Sequence, residues 1–179
     1  MTISKGNREA ILRECDCDGA AGEYDGLAIN NRQRAVRFER RKLESFLRRV
    51  RDEVGFRNAG VTVCLVSDAE IARLNETFRK KKEPTDGLSF PTVARRRPKR
   101  PASEGGPYDR RKAGEYLGDI AISPATARRY ARKHGRKFSS ELQVLILHGV
   151  LHLLGYDHEN DGGEMDRIER KLRKRLGLA

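Results

Sequence analysis

Apolar residues recur along this chain with two different periods. Leu43, Phe46, Leu47, Val50 and Val54 are spaced by three and four, which predicts an amphipathic helix over Val36–Val54. VTVCLV at 61–66 is a continuous β-branched run, the mark of a strand buried on both faces. GLAIN at 26–30 and LGDIAI at 117–122 predict further strands, and DGLSF at 86–90 one more. The last of these belongs at a sheet edge, because Gly87 and Pro91 weaken pairing. Ser67 and Glu70 form a capping box for a helix that buries Ile71, Leu74 and Phe78. Ser123 caps the next helix, with Pro124 at its first position and Gly135 at its end. Ser140 and Gln143 form a second capping box. The helix they open runs through Leu142, Leu145, Leu151 and Leu153 and is apolar nearly all round, which makes it the central buried helix. Met165, Ile168, Leu172 and Leu176 mark a final helix stopped by Gly177. The predicted fold class is α+β, a small mixed β-sheet packed by helices.

Composition places these elements in one domain over residues 25–179. Residues 1–24 lack apolar periodicity and read as a disordered extension whose Cys15 and Cys17 are too few for a closed zinc site. Residues 94–115 form an insertion with eight basic and three acidic residues. Three cysteines in all argue against a disulfide scaffold and fit a reducing cytoplasm. No signal peptide is predicted, and the longest apolar stretch, Leu142–Leu154, is too short to span a membrane. With 38 Lys and Arg against 26 Asp and Glu, the net charge of +12 favours an anionic partner such as nucleic acid. Within the insertion, Arg95, Arg96, Arg97, Lys99 and Arg100 are candidate RNA-phosphate contacts.

Three of the four histidines fall in HGVLHLLGYDH, 148–158. His148 and His152 are four apart on the central helix and share a face, so they can chelate one ion. Gly155 stops the helix, and the chain can fold back to bring His158 to the same ion. H-x-x-x-H-x-x-G-x-x-H is the spacing of a zincin-like metal helix. Three neutral imidazoles leave a fourth position open, the catalytic rather than the structural pattern, with zinc or a similar divalent ion, one per chain, as the cofactor. Metallopeptidases of this spacing carry a glutamate after the first histidine, where this chain has Gly149. Asp157 can orient the turn or His158. Asp119, inside an apolar strand, needs a partner and is either a support for a ligating imidazole or a structural cap. His134, at a helix end, reads as a surface residue rather than a fourth ligand. Arg79, followed by Lys80–Lys82, reads from its position alone as a solvated helix end.

The histidine segment resembles the signature of the YbeY family of endoribonucleases and rRNA maturation factors. LNETFRKKKEPTDGLSFP at 74–91, YLGDIAIS at 116–123 and LAINNRQ at 27–33 resemble other blocks of that family. Phe78 and Gly87 depart from its usual Tyr and Val. The resemblance implies a zincin-like fold and a metal-dependent enzyme acting on single-stranded RNA. It also implies a role with the small ribosomal subunit in rRNA 3′-end maturation and ribosome quality control. It makes His148, His152 and His158 the metal ligands, and it makes Arg79 and His148 catalytic positions. Two other classes stand beside it: a ribosome assembly factor with a mainly structural metal, and a zincin-type metallopeptidase, which Gly149 disfavours.

Overall fold

A computed structural model describes residues 26–57, 59–92, 115–157 and 161–178. The 1–24 extension, Arg95, Arg96, Arg97, Lys99, Arg100 and His158 lie outside the described residues. The described elements are β1 (Leu27–Asn31), α1 (Arg40–Val54), β2 (Ala59–Leu65), α2 (Asp68–Arg79), β3 (Gly87–Pro91), β4 (Glu115–Ile122), α3 (Pro124–Lys133), α4 (Phe138–Leu153) and α5 (Glu164–Leu176). The α+β class predicted from the pattern is the class observed.

The strands form one mixed sheet in the order β1-β2-β4-β3. β1, β2 and β4 are parallel, and β3 joins β4 antiparallel at the edge, where its Gly and Pro placed it. β2 is buried on both faces. Val61, Val63 and Leu65 meet one core, while Cys64 belongs to the other. The larger core lies under α1, α4 and α5 and takes Leu117, Ile120 and Ile122 from β4. Leu117 and Ile120 are three apart and would face opposite ways in a regular strand. A bulge resolves this: the register steps from Gly60↔Tyr116 to Val61↔Gly118, and Gly118 supplies the φ of +145° that the bulge needs. The smaller core packs Ile71, Leu74 and Phe78 of α2 against Cys64, Leu88, Phe90 and Ala121.

Two helix starts differ from the expectation. α1 begins at Arg40, not Val36. The buried Gln33 side chain takes both backbone groups of Val36, donating to its carbonyl and accepting from its N–H at 2.9 Å each, so Val36 cannot open a helix. α4 begins at Phe138 with Lys137 as N-cap and no side-chain cap bond, so Ser140 and Gln143 lie inside the helix rather than at its start. The Ser67 and Ser123 caps are formed as expected, each hydroxyl accepting from the backbone N–H three residues on.

Candidate functional site

α4 is buried over most of its surface, and His148 and His152 share one partly accessible flank of it. Its end is fixed by a Schellman motif: Gly155 N–H donates to the His152 carbonyl, and Tyr156 N–H donates to the Leu151 carbonyl. Gly155 has the left-handed conformation this requires, with φ +91°. The turn carries the Tyr156 carbonyl back over the helix, where it lies 3.0 Å from His152 Nδ1. A carbonyl only accepts, so His152 Nδ1 carries the proton, and neutral His152 presents a lone pair on Nε2.

His148 is oriented by another element. Its Nδ1 lies 2.9 Å from Glu169 Oε2 on α5. Glu169 is buried, and its other oxygen accepts from Arg173. Burial alone would raise the Glu169 carboxyl, but the His148 imidazole and the Arg173 guanidinium outweigh it and hold the group below its ordinary value. An ionised Glu169 makes His148 Nδ1 the donor, so the lone pair of neutral His148 is also on Nε2. α5 is set in place by Asp161, whose carboxylate accepts from the backbone N–H groups of Gly163, Glu164 and Met165.

The two Nε2 atoms face each other at 3.1 Å, with the ring centroids 4.6 Å apart. Two neutral imidazoles so arranged would repel, lone pair against lone pair. Only a proton or a cation between them relieves this. A tetrahedral ion bonded at about 2.05 Å to each would separate them by about 3.3 Å, close to the span observed. The donor set therefore fits a borderline divalent metal such as zinc. Among the described residues no third His, Cys, Asp or Glu completes the group. His158 lies outside them, and Asp157, two residues past Gly155, is half-buried.

Gly149 answers the question of a peptidase base. A Cβ added there would lie 2.7 Å from Ile120 Cγ2 and 2.9 Å from its Cδ1. The position faces the sheet at van der Waals contact, so it has no room for a glutamate side chain. Ser89 of β3 reaches the same point, its hydroxyl donating to the Gly149 carbonyl at 3.4 Å.

Asp119 is buried and stands away from the histidine pair. Its cross-strand partner is Phe90, which belongs to the α2-side core, so Asp119 faces the side of the sheet opposite α4. Tyr116 donates its hydroxyl to Asp119 Oδ1 at 2.6 Å. Burial first, and then that bond and the carboxylate's charge, push the Tyr116 phenol far up. The imidazole supports at His148 and His152 are Glu169 and the Tyr156 carbonyl, neither of which the motif revealed. Glu169 could have been found: it is four residues after Met165 and adjoins Ile168, so it falls on the core stripe of α5, where a carboxylate needs a partner.

Arg79 is exposed at the last position of α2. The edge strand β3 lies between its helix and α4. Phe78 packs edge-on against Phe90, with centroids 5.0 Å apart, while the neighbouring Ser89 faces α4. The loop after Arg79 is pinned by buried Asn75, whose side-chain amide donates to the Glu83 carbonyl at 2.7 Å.

A family model described as Endoribonuclease YbeY matches residues 28–177. An Endoribonuclease YbeY from Solibacter usitatus is 40% identical over 154 residues, covering 86% of this chain and 90% of the relative. Its counterpart from Aquifex aeolicus is 39% identical over 146 residues, covering 82% and 85%. The solution structure of a Thermotoga maritima protein is similar with a TM-score of 0.53 at 28% identity, covering 84% of this chain and 88% of that one. A match over this much of the chain, with the histidine pair built as described, establishes that the chain belongs to the YbeY family of endoribonucleases.

Proposed function

We propose that the protein is a zinc-dependent endoribonuclease for single-stranded RNA that acts in the cytoplasm on rRNA of the small ribosomal subunit, in 3′-end maturation and quality control. The observation that carries this reading is the facing pair of Nε2 lone pairs on His148 and His152, each fixed by a protonated Nδ1 with its own acceptor. Zinc, or a similar divalent ion, would be held by these two and His158. Such an ion, when bound, supplies Lewis acidity toward a phosphoryl oxygen or a bound water of lowered pKa.

The chain's own residues supply the remainder. Glu169 and the Tyr156 carbonyl hold the two imidazoles in the ligating tautomer. Arg79 would hold two phosphate oxygens at once through its planar guanidinium. The insertion bearing Arg95, Arg96, Arg97, Lys99 and Arg100 would add phosphate contacts, in keeping with the net charge of +12. Among the described residues no helix is long and apolar enough to cross a membrane.

The test pairs elemental analysis with cleavage of a labelled RNA carrying a single-stranded 3′ tail. Wild type should hold about one divalent ion per chain and cleave the tail, and a chelator should abolish cleavage. His152→Ala should lose the ion, cleavage and part of the stability, because the ion ties the helix to the turn that follows. Equal metal in wild type and variant would sink the metal assignment. A metal-loaded protein that binds the RNA without cleaving it would favour an assembly factor instead.

A further inference from the structure

Residues 120–140 contain Arg128, Arg129, Arg132, Lys133, Arg136 and Lys137 and not one Asp or Glu. Elsewhere many surface cations are paired, as Arg40 is with Glu44, Lys42 with Glu39 and Arg175 with Glu53. Here Arg129 bonds Asp68 at 2.7 Å and Arg136 lies 3.5 Å from Glu141. Arg128, Arg132, Lys133 and Lys137 are exposed, and none pairs with a described carboxylate. Arg128 and Arg132, and likewise Arg129 and Lys133, are like charges four apart on one helix, an arrangement that weakens the helix carrying it. Folding gives no reason for it.

An aromatic ring stands in this patch. Tyr130 is 42% exposed, the one large apolar side chain exposed among the described residues. His134 stacks on it with the planes 14° apart and the centroids at 6.2 Å. His134 Nδ1 donates to the Tyr130 carbonyl at 2.9 Å, which holds the imidazole against the helix. The result is a steadied, open aromatic ring with exposed Lys133 one turn along the same side of α3, while Arg128 and Arg132 stand across the exposed side of the helix on its other flank.

We propose that α3 and the turn after it form an accessory docking surface for single-stranded RNA, with a base stacked on Tyr130, phosphates on Lys133 and Lys137, and the strand crossing the exposed side of α3 to Arg132 and Arg128. A stacking ring among cations is the chemistry that takes an unpaired strand, because only unpaired bases offer a free face. A lipid surface fits less well: on α3 no large apolar side chain besides Tyr130 is exposed to enter it. The inference rests on the RNA-cleaving reading above but concerns a different place on the molecule. Lys137 caps α4, and His148 lies eleven residues further on, a rise of about 16 Å along the helix. At about 3.4 Å per stacked nucleotide, only a strand longer than roughly five nucleotides reaches both.

The experiment uses the full chain and measures binding to a 20-nucleotide single strand, a 5-nucleotide strand, a duplex and anionic phosphatidylserine vesicles. Tyr130→Leu should weaken the long single strand by roughly tenfold and leave the duplex unchanged, while Tyr130→Phe keeps wild-type affinity. The triple change Arg128→Ala, Arg132→Ala and Lys133→Ala should flatten the log-log salt slope for the long strand by about 2. Cleavage of the 5-nucleotide strand, which cannot span both places and so reads the histidine site alone, should be alike in all variants. All the altered side chains are exposed, and the triple change also relieves like-charge pairs, so a thermal midpoint no lower than wild type accompanies these results. Equal binding of the long strand by wild type, Tyr130→Leu and the triple variant would overturn the proposal, as would vesicle binding that the triple change abolishes while RNA binding survives. If the wild type itself binds no single strand, the functional reading fails along with the surface. If only the variants behave as wild type, the surface alone fails.

Discussion

Glu169 Oε2 lies 2.9 Å from His148 Nδ1, joining α5 to α4 across 21 residues of chain. The carboxylate sets which ring nitrogen carries the proton and so which one is free to bind. Glu169→Ala should weaken divalent-metal affinity by about 10- to 100-fold, the usual scale for removing such a support. Glu169→Gln should lose less, because its amide oxygen still accepts from Nδ1–H. Competition with a chromophoric chelator reads both directly and without RNA. Equal affinities for wild type and Glu169→Ala would show that His148 holds its tautomer unaided.

Gly149 is a contact between helix and sheet. Gly149→Ala would drive a methyl into Ile120, against two atoms closer than 3.0 Å. Overpacking of this kind costs about 1–3 kcal/mol, and each kcal/mol lowers the melting midpoint by roughly 2–4 °C in a domain of this size. Ile120→Ala should be destabilising alone yet recover part of the loss when combined with Gly149→Ala. Additive losses in thermal unfolding would mean that the Gly149–Ile120 contact is not what excludes a side chain.

The sheet and the histidine-bearing helix were legible because each depends on local signals. β2 is a β-branched run, Ser67 and Ser123 are caps, and the histidines follow helical spacing ended by Gly155. What was not legible depends on long-range partners. Gln33 takes the backbone of Val36 and delays α1, and no periodicity reveals that bond. Asp119 read equally well as a support for an imidazole or as a structural group. Only its register opposite Phe90 shows that it faces the other side of the sheet. Glu169 was hidden among the charges of a strongly basic helix, although its place on the core stripe with Ile168 and Leu172 was a usable sign. The stacking of His134 on Tyr130 has no local sign in the sequence.

Asp68 ties the start of α2 to α3. Its carboxylate accepts from the Ser123 hydroxyl, from Thr126 Oγ1 at 2.8 Å and from Arg129 at 2.7 Å. Partial burial alone would raise the carboxyl, but Ser123, Arg129 and Thr126 outweigh it and hold it below its ordinary value. A carboxyl with a lowered folded pKa contributes stability that is fully present above the unfolded value and is lost as pH falls through the folded one. The thermal midpoint of Asp68→Asn should therefore lie below wild type at pH 6, and the gap should narrow progressively as pH falls below about 4. A gap that stays constant down to pH 3 would show that the link is carried by packing rather than by the charge.

Arg79 ends α2, which packs through Phe78 on the edge strand whose other face meets α4. Its own side chain is exposed and lies outside the stripe of Ile71, Leu74 and Phe78. Arg79→Ala should therefore leave the metal content and the thermal midpoint as in wild type. RNA binding should weaken only modestly, because many other cations share that task. Cleavage should fall much further, by about a hundredfold or more, the usual loss when one donor to developing phosphoryl charge is removed. Arg79→Lys should recover only part, since an ammonium keeps the charge and loses the two-pronged geometry. Single-turnover cleavage at saturating protein is the measurement, because binding losses then drop out of the rate. A wild-type rate for Arg79→Ala under those conditions would make Arg79 a surface cation and leave the chemistry to the histidine site and its supports.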